Sequence, residues 1–300
     1  MYNISPFVTE FIDNVTPLFA PYKLYVKVKV KRYKETAIGV YSLLDESEYI
    51  AVEGYTNYMN GYNQANNDAG FSLLVDPNIQ MNYDRSISYP FANVFISNNN
   101  IGNEVLAFYT DLNGANSTMV DYSSNYNRMV AVPYTLANAA YDNGNILTIN
   151  YYVAGTPNRS VSIRVVPIEE CKYDPSVCSF INKFGGWQFL TFFKVQINSI
   201  EVKGTSYKML PDDVNYNSFR GQNKSFNING GQSVKLNTGF VPENYSDIIQ
   251  DLLLSETVLL DGKAVEVKTQ ANTIKTGLQD RNINYEIEFN YSFDLINNVC

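Results

Sequence analysis

"CSFINKFGGWQFLTFFK", residues 178–194, holds the single tryptophan of the chain, Trp187, among five phenylalanines. The runs "VCSFIN" and "WQFLTFFKV" flank a glycine-containing turn at Lys183 to Gly186, which is the pattern of a β-hairpin. Successive strand side chains point to opposite faces, and the aromatics fall on both. Both faces therefore need cover, and the stretch is predicted to be a core hairpin. The competing readings are a ligand-binding surface and a redox site beside Cys178.

The rest of the composition agrees with sheets joined by polar turns. Of 300 residues 45% are hydrophobic and only 17% charged, while Tyr (24), Phe (17) and Asn (38) are used heavily. That apolar content is enough for one large core or two ordinary ones. Strand-like runs follow one another through "FSLLV", "NVFIS", "VLAFYTDL", "MVAVPYTL", "ILTINYYVAG" and "SVSIRVVPI", split by turns such as Asn113-Gly114 and Asp142-Asn143-Gly144. This spacing predicts an antiparallel β-sandwich over residues 22–166. A β-rich α+β part is predicted over 167–300. Its one amphipathic helix, 243–255, has Tyr245, Ile248, Ile249, Leu252 and Leu253 on one face. A strong Asp261-Gly262 turn follows, and then a strand in which Ile283, Tyr285, Ile287, Phe289, Tyr291, Phe293 and Leu295 alternate with polar residues. Residues 1–21 stand apart as an N-terminal arm. There Phe7, Val8, Phe11, Ile12 and Val15 recur at helical spacing behind Ser5 and Pro6, and Phe7 and Phe11 are candidate contacts with a neighbouring subunit.

Few residues suggest catalysis. The chain contains no histidine, which removes the commonest general base. Neighbouring carboxylates such as Asp212-Asp213 and Glu169-Glu170 point to opposite faces of an extended chain and cannot clamp one bond. No phosphate-binding glycine loop or nucleophile elbow is evident. A glycosidase built from sequence-distant carboxylates is the remaining enzyme alternative; no catalytic residue and no cofactor is assigned. Three cysteines without histidine do not make a zinc site. Cys171 and Cys178 either bridge across the Asp174-Pro175 turn or stay reduced as in a cytosol. The start, "MYNISPFVTEFIDNV", has neither a positive n-region nor a continuous apolar h-region, and no stretch approaches a membrane span. A chain made and kept in a cytoplasm is expected, with no membrane partner.

Charge is distributed unevenly. From Lys23 to Lys34 there are six basic residues and no acid, whereas residues 35–127 carry eleven acids and one base, Arg85. In "LYVKVKVKRYK" Val26, Val28 and Val30 alternate with Lys27, Lys29 and Lys31, which puts the three lysines on one face of a strand. Three readings follow. The row is a solvated edge strand guarded against edge pairing, the basic half of a contact between identical subunits closing a ring, or a nucleic-acid contact, which the net charge of −8 disfavours. The stretch "YTNYMNGYNQANNDAG", residues 55–70, is an exposed loop or a contact surface for protein or glycan.

The sequence "FINKFGGWQFLTFFK", then "SVKLNTGFVPENYSDIIQDLLLSETVLLDGKAVEVKT", then "RNINYEIEFNYSFDLIN" resembles a recurring C-terminal half of virion structural proteins in tailed phages of Bacteroidetes, including crAss-like phages. The resemblance covers about residues 167–299 and leaves the N-terminal half unmatched. It implies a neck or tail ring subunit that self-assembles in the host bacterial cytoplasm, stacks on neck, portal or tail proteins of the virion, and at most lets DNA pass through an acidic channel. The opposing expectation is a surface-displayed glycan-binding or adhesin β-sandwich module of a bacterium.

Overall fold

The structure, a computed structural model, describes residues 8, 10–12, 25–55, 71–76, 80–84, 90–96, 103–123, 128–168, 172–209, 219, 221–269 and 282–296. The chain is mainly β. The strands are β1 (Tyr25–Ala37), β2 (Val40–Val52), β3 (Phe71–Leu73), β4 (Met81–Tyr83), β5 (Phe91–Ile96), β6 (Glu104–Asp111), β7 (Ser117–Asp121), β8 (Arg128–Pro133), β9 (Asn145–Val153) and β10 (Thr156–Pro167) in the N-terminal part. The C-terminal part contains β11 (Ser176–Ile181), β12 (Trp187–Phe192), β13 (Ile197–Lys208), β14 (Asn223–Pro242), helix α1 (Tyr245–Leu254), β15 (Val258–Leu260), β16 (Lys263–Val267) and β17 (Asn282–Asp294).

Among the described residues four sheets result: a ribbon β1-β2, a three-stranded sheet β3-β5-β8, a five-stranded sheet β4-β10-β9-β6-β7, and a seven-stranded sheet β12-β11-β15-β16-β17-β14-β13. Their strands pair antiparallel, apart from β10 with β4, which are parallel. The period-2 pattern explains the first core. Leu147, Ile149 and Tyr151 of β9, and Val161, Ile163 and Val165 of β10, are buried, and the residues between them are more exposed. Facing them is β5, which is buried along its whole length. Its Ala92, Val94 and Ile96 lie in the same core as Ala107, Ile149 and Ile163, so the three- and five-stranded sheets form a sandwich.

The second core is built on the seven-stranded sheet. Val234, Leu236, Ile287 and Phe289 are covered there by Ile248, Ile249 and Leu252 of α1. Helical spacing of those three, with Tyr245, accounts for the helix, and Asp247 sits in its first turn where the helix dipole favours an acid. The predicted span 243–255 loses one or two residues at each end. Leu253, assigned to the same face, is only partly buried.

The opening hairpin joins the two cores. β11 pairs with β12 in the register Ile181↔Trp187, Ser179↔Phe189 and Cys178↔Leu190. One face, with Ile181, Trp187 and Phe189, belongs to the sandwich core. The other, with Cys178, Phe180, Leu190 and Phe192, belongs to the core under the seven-stranded sheet. The rings of Phe189 and Phe91 meet edge to face with centroids 5.0 Å apart, and those of Phe192 and Phe289 do so at 5.7 Å. Polar groups lock the junction: the Trp187 amide donates to Asn93 Oδ1 at 2.8 Å, and Asn182 Nδ2 donates to the Leu74 carbonyl at 2.8 Å. Cys178 is a free, fully buried thiol whose pKa burial pushes up, which keeps it protonated and inert. Cys171 lies outside the described residues.

Trp187 is fully buried and its Nε1 has no hydrogen-bond partner, so the indole contributes through packing. Trp187→Ala is expected to lower the stability of the chain by about 3–5 kcal/mol in denaturant unfolding. An unchanged unfolding midpoint would show that the indole is not part of the core.

Candidate interaction surfaces

β1 and β2 form a free-standing ribbon. At about 3.3 Å per residue its thirteen-residue strands span about 43 Å. The base is where the ribbon packs on the body among the described residues: Tyr25 and Val52 lie against the sandwich core, and the Tyr25 ring meets Phe95 at 5.9 Å. The glycines of the opening hairpin make this seat possible. A Cβ on Gly185, which has φ +78°, would lie 2.8 Å from Val52 Cβ, and one on Gly186 would lie 2.6 Å from the Leu74 carbonyl oxygen. Next to the seat the Tyr55 amide donates to the Lys183 carbonyl at 2.9 Å, and the Tyr55 hydroxyl donates to Asp251 Oδ1 of α1, also at 2.9 Å. Lys183 Nζ stands 3.9 Å from the second Asp251 oxygen. Burial holds the Asp251 carboxyl above the usual range, against the pull of Lys183 and Tyr55. Glu53 is raised too, by burial and by the charge of Glu256.

Along the ribbon the charges pair within the chain. The register places Lys29 opposite Glu48 and Lys31 opposite Glu46. Lys29 Nζ bridges to Glu46 and, at 3.5 Å, to Glu48; Lys31 Nζ reaches Glu46 at 3.4 Å; and Arg32 makes a two-pronged contact with Asp45. These pairs raise the pKa of Lys29 and hold Asp45 and Glu46 below the ordinary carboxylate range. The reversal from basic to acidic sequence is thus the two strands of one hairpin, and Glu46, Glu48 and Asp45, three of the acids on which a cross-subunit contact was to rest, are met in cis. Lys27 is exposed on the same face as Lys29 and Lys31, opposite Ile50. Phe11 is 72% exposed, with its amide donating to the Val8 carbonyl, and Phe7 lies outside the described residues.

Past the charged middle the ribbon carries large apolar side chains beside the exposed Lys34 and Glu35. Tyr33, Val40, Tyr41, Leu43 and Leu44 are each more than half exposed, and Ile38 at the turn is 101% exposed. A two-stranded ribbon of this kind buries too little to be stable alone in water.

A second ribbon is formed by β13 and the start of β14, which run past the core of the seven-stranded sheet. All twelve residues of β13 are exposed, and β13 is an edge strand. The core-side face of the sheet continues there as Ile200, Val202, Ile228, Phe293 and Leu295, all large and exposed. The alternation predicted for β17 is therefore real, but its last two apolar residues reach beyond the core and stay uncovered. A Cβ on Gly230 would lie 3.0 Å from Leu295 Cδ1 and 3.7 Å from Ile200 Cγ2, so these side chains close over a glycine. The charges of this margin, Lys235 with Glu286, Lys268 with Glu288 at 2.7 Å, and Lys203 with Glu201 at 3.9 Å, are on the opposite face. Sequence reasoning passes over this margin, although Ile200 and Val202 alternate with Glu201 and Lys203 as a half-covered strand would.

Among the described residues no three Cys, Asp or Glu side chains are grouped to hold a metal ion, and no helix is long and apolar enough to cross a membrane. Comparison of the chain with protein-family models, with curated proteins and with solved structures finds no match.

Asp251 sets the pH response of the ribbon seat. Its raised pKa means that the folded chain holds this proton more tightly than the unfolded chain does. The Asp251 contribution to stability is accordingly full below the unfolded value and is lost as pH rises through the folded one. Asp251→Asn keeps an acceptor for Tyr55 and removes the buried charge. It is expected to flatten this part of the pH dependence when melting temperatures are compared between acidic and neutral buffer. Tyr55→Phe, which leaves the carboxylate without its donor, should destabilise by about 1–3 kcal/mol at neutral pH. Equal slopes in wild type and Asp251→Asn would show that the seat does not titrate.

Proposed function

We propose that this chain is a structural subunit of a tailed-phage virion, a neck or tail ring subunit that associates with copies of itself and connects adjacent virion proteins. The observation that carries the reading is the uncovered surface. Among the described residues Tyr33, Ile38, Tyr41, Leu43 and Leu44 on one ribbon and Ile200, Val202, Phe293 and Leu295 on the other are each at least half exposed, which is the kind of apolar surface that association between subunits covers. Two apolar ribbons at different places are what a subunit with a neighbour on each side would present.

The likeness of residues 167–299 to virion structural proteins supplies the setting: assembly in the host bacterial cytoplasm, residence in the virion, and neck, portal or tail proteins as neighbours. The role is mechanical. The hairpin core holds the two ribbons at set positions, and subunits join through them. DNA is at most cargo passing a channel, where the net charge of −8 would limit adhesion of phosphate. The reading as a glycan-binding or adhesin module draws on the tyrosine- and asparagine-rich stretch 55–70. Of that stretch only Tyr55 is described, and its hydroxyl is engaged by Asp251.

Sedimentation of the purified chain over a range of concentrations, with negative-stain imaging, tests the proposal. Closed homo-oligomers are expected. A strictly monomeric mass at high concentration and low salt, with no corresponding ring in particles, would overturn it.

A further inference from the structure

We infer that the two ribbons are the two halves of one head-to-tail interface: the tip of the β1-β2 ribbon of one copy docks on the β13-β14-β17 margin of a second copy. This rests on the reading of the chain as a self-associating subunit and specifies how the copies meet.

Four observations lead there. The two surfaces are different, and both are exposed in the same copy, so neither covers the other within one chain. Their sizes are comparable: Tyr33, Ile38, Tyr41, Leu43 and Leu44 at the tip offer about 670 Å², and Ile200, Val202, Ile228, Phe293 and Leu295 at the margin about 550 Å², at roughly 200 Å² per fully exposed large side chain. With their polar surroundings that approaches the roughly 800 Å² which each partner contributes to a stable interface. Charge is mostly kept off the facing surfaces. Lys29, Lys31 and Arg32 are matched by Glu46, Glu48 and Asp45 below the tip, Glu35 accepts the Gly39 amide within the turn, and Lys34, opposite Ser42, points to the other side of the ribbon from Tyr33, Tyr41 and Leu43, while the ion pairs of the margin lie on the far face of its sheet. Docking through the Tyr33, Tyr41 and Leu43 face leaves the Lys34 ammonium in water, so little desolvation of an ion opposes it. Finally, Gly230 and Gly204 leave the margin low, with Leu295 and Ile228 folded over them, which admits a ribbon lying flat on the sheet. Because tip and margin are unlike surfaces, the contact is heterologous and propagates from copy to copy until the rotation closes a ring.

The test uses two surface variants of the full chain. Leu43→Lys with Leu44→Lys disables the tip, and Ile200→Lys with Val202→Lys disables the margin. All four side chains are exposed in the single copy, so circular dichroism and melting temperature should match wild type. Each variant alone is expected to sediment as a monomer at concentrations where wild type assembles. Mixed in equal amounts they should form a dimer and nothing larger, since one intact tip then meets one intact margin and no second contact is left. Should a lysine pair perturb folding, Tyr41→Ser and Val202→Thr replace it, each expected to weaken assembly at least tenfold. Assembly of either double variant like wild type overturns the inference. So does a mixture that stays monomeric, or loss of assembly in the tip variant alone, which would indicate tip-to-tip pairing. In those cases wild type still assembles and the proposed function stands; a wild-type chain that never assembles removes both.

Discussion

A hairpin that must be covered on both sides cannot sit at the surface of any one core, and β11-β12 satisfies that demand by standing between two. Trp187 and Phe189 fill the sandwich while Phe180, Leu190 and Phe192 fill the space under α1. Alternation along a strand makes the division strict, because a slip of one residue would exchange the two sets of side chains. The neighbouring β15 repeats the pattern, with Leu259 in the first core and Val258 and Leu260 in the second. The two cores are thereby coupled through shared strands, without a linker between them.

The same hairpin governs where the first ribbon stands. Its turn supplies the Lys183 carbonyl to the Tyr55 amide and the small residues that let Val52 and Leu74 approach. On the other side, α1 brings Asp251 to the Tyr55 hydroxyl. The ribbon is thus held at its root by both parts of the molecule, while among the described residues its far end rests on its partner strand alone. A sheet that is well packed at one end and bare at the other has a direct physical meaning. The strands are longer than the core that stabilises them, and among the described residues nothing covers the excess length.

Electrostatics plays a smaller part than the charge runs suggest. A basic stretch followed by an acidic one invites a long-range contact, yet a tight turn between them brings opposite charges face to face, as it does here at Ile38-Gly39. The resulting pairs are exposed and screened, so they set register and solubility more than stability.

Much of this architecture is legible in the sequence. The core hairpin, the helix around Ile248 to Leu252, the sandwich strands and the alternating β17 all follow from local periodicity, because the 2.0 and 3.6 repeats are properties of the chain itself. The lysine row was legible as a strand face, though its partners were not, since pairing depends on which strand folds back on it. The end of the buried part of β17 was equally hidden: Phe293 and Leu295 continue the apolar pattern without a break, and nothing local marks where the core stops. The exposed margin of β13 is hard to read from sequence, because Gly204 and isolated apolar residues look like a weak strand. Periodicity determines which face of each strand is apolar. Whether that face is covered depends on how far neighbouring elements extend in space, and only the tertiary structure decides that.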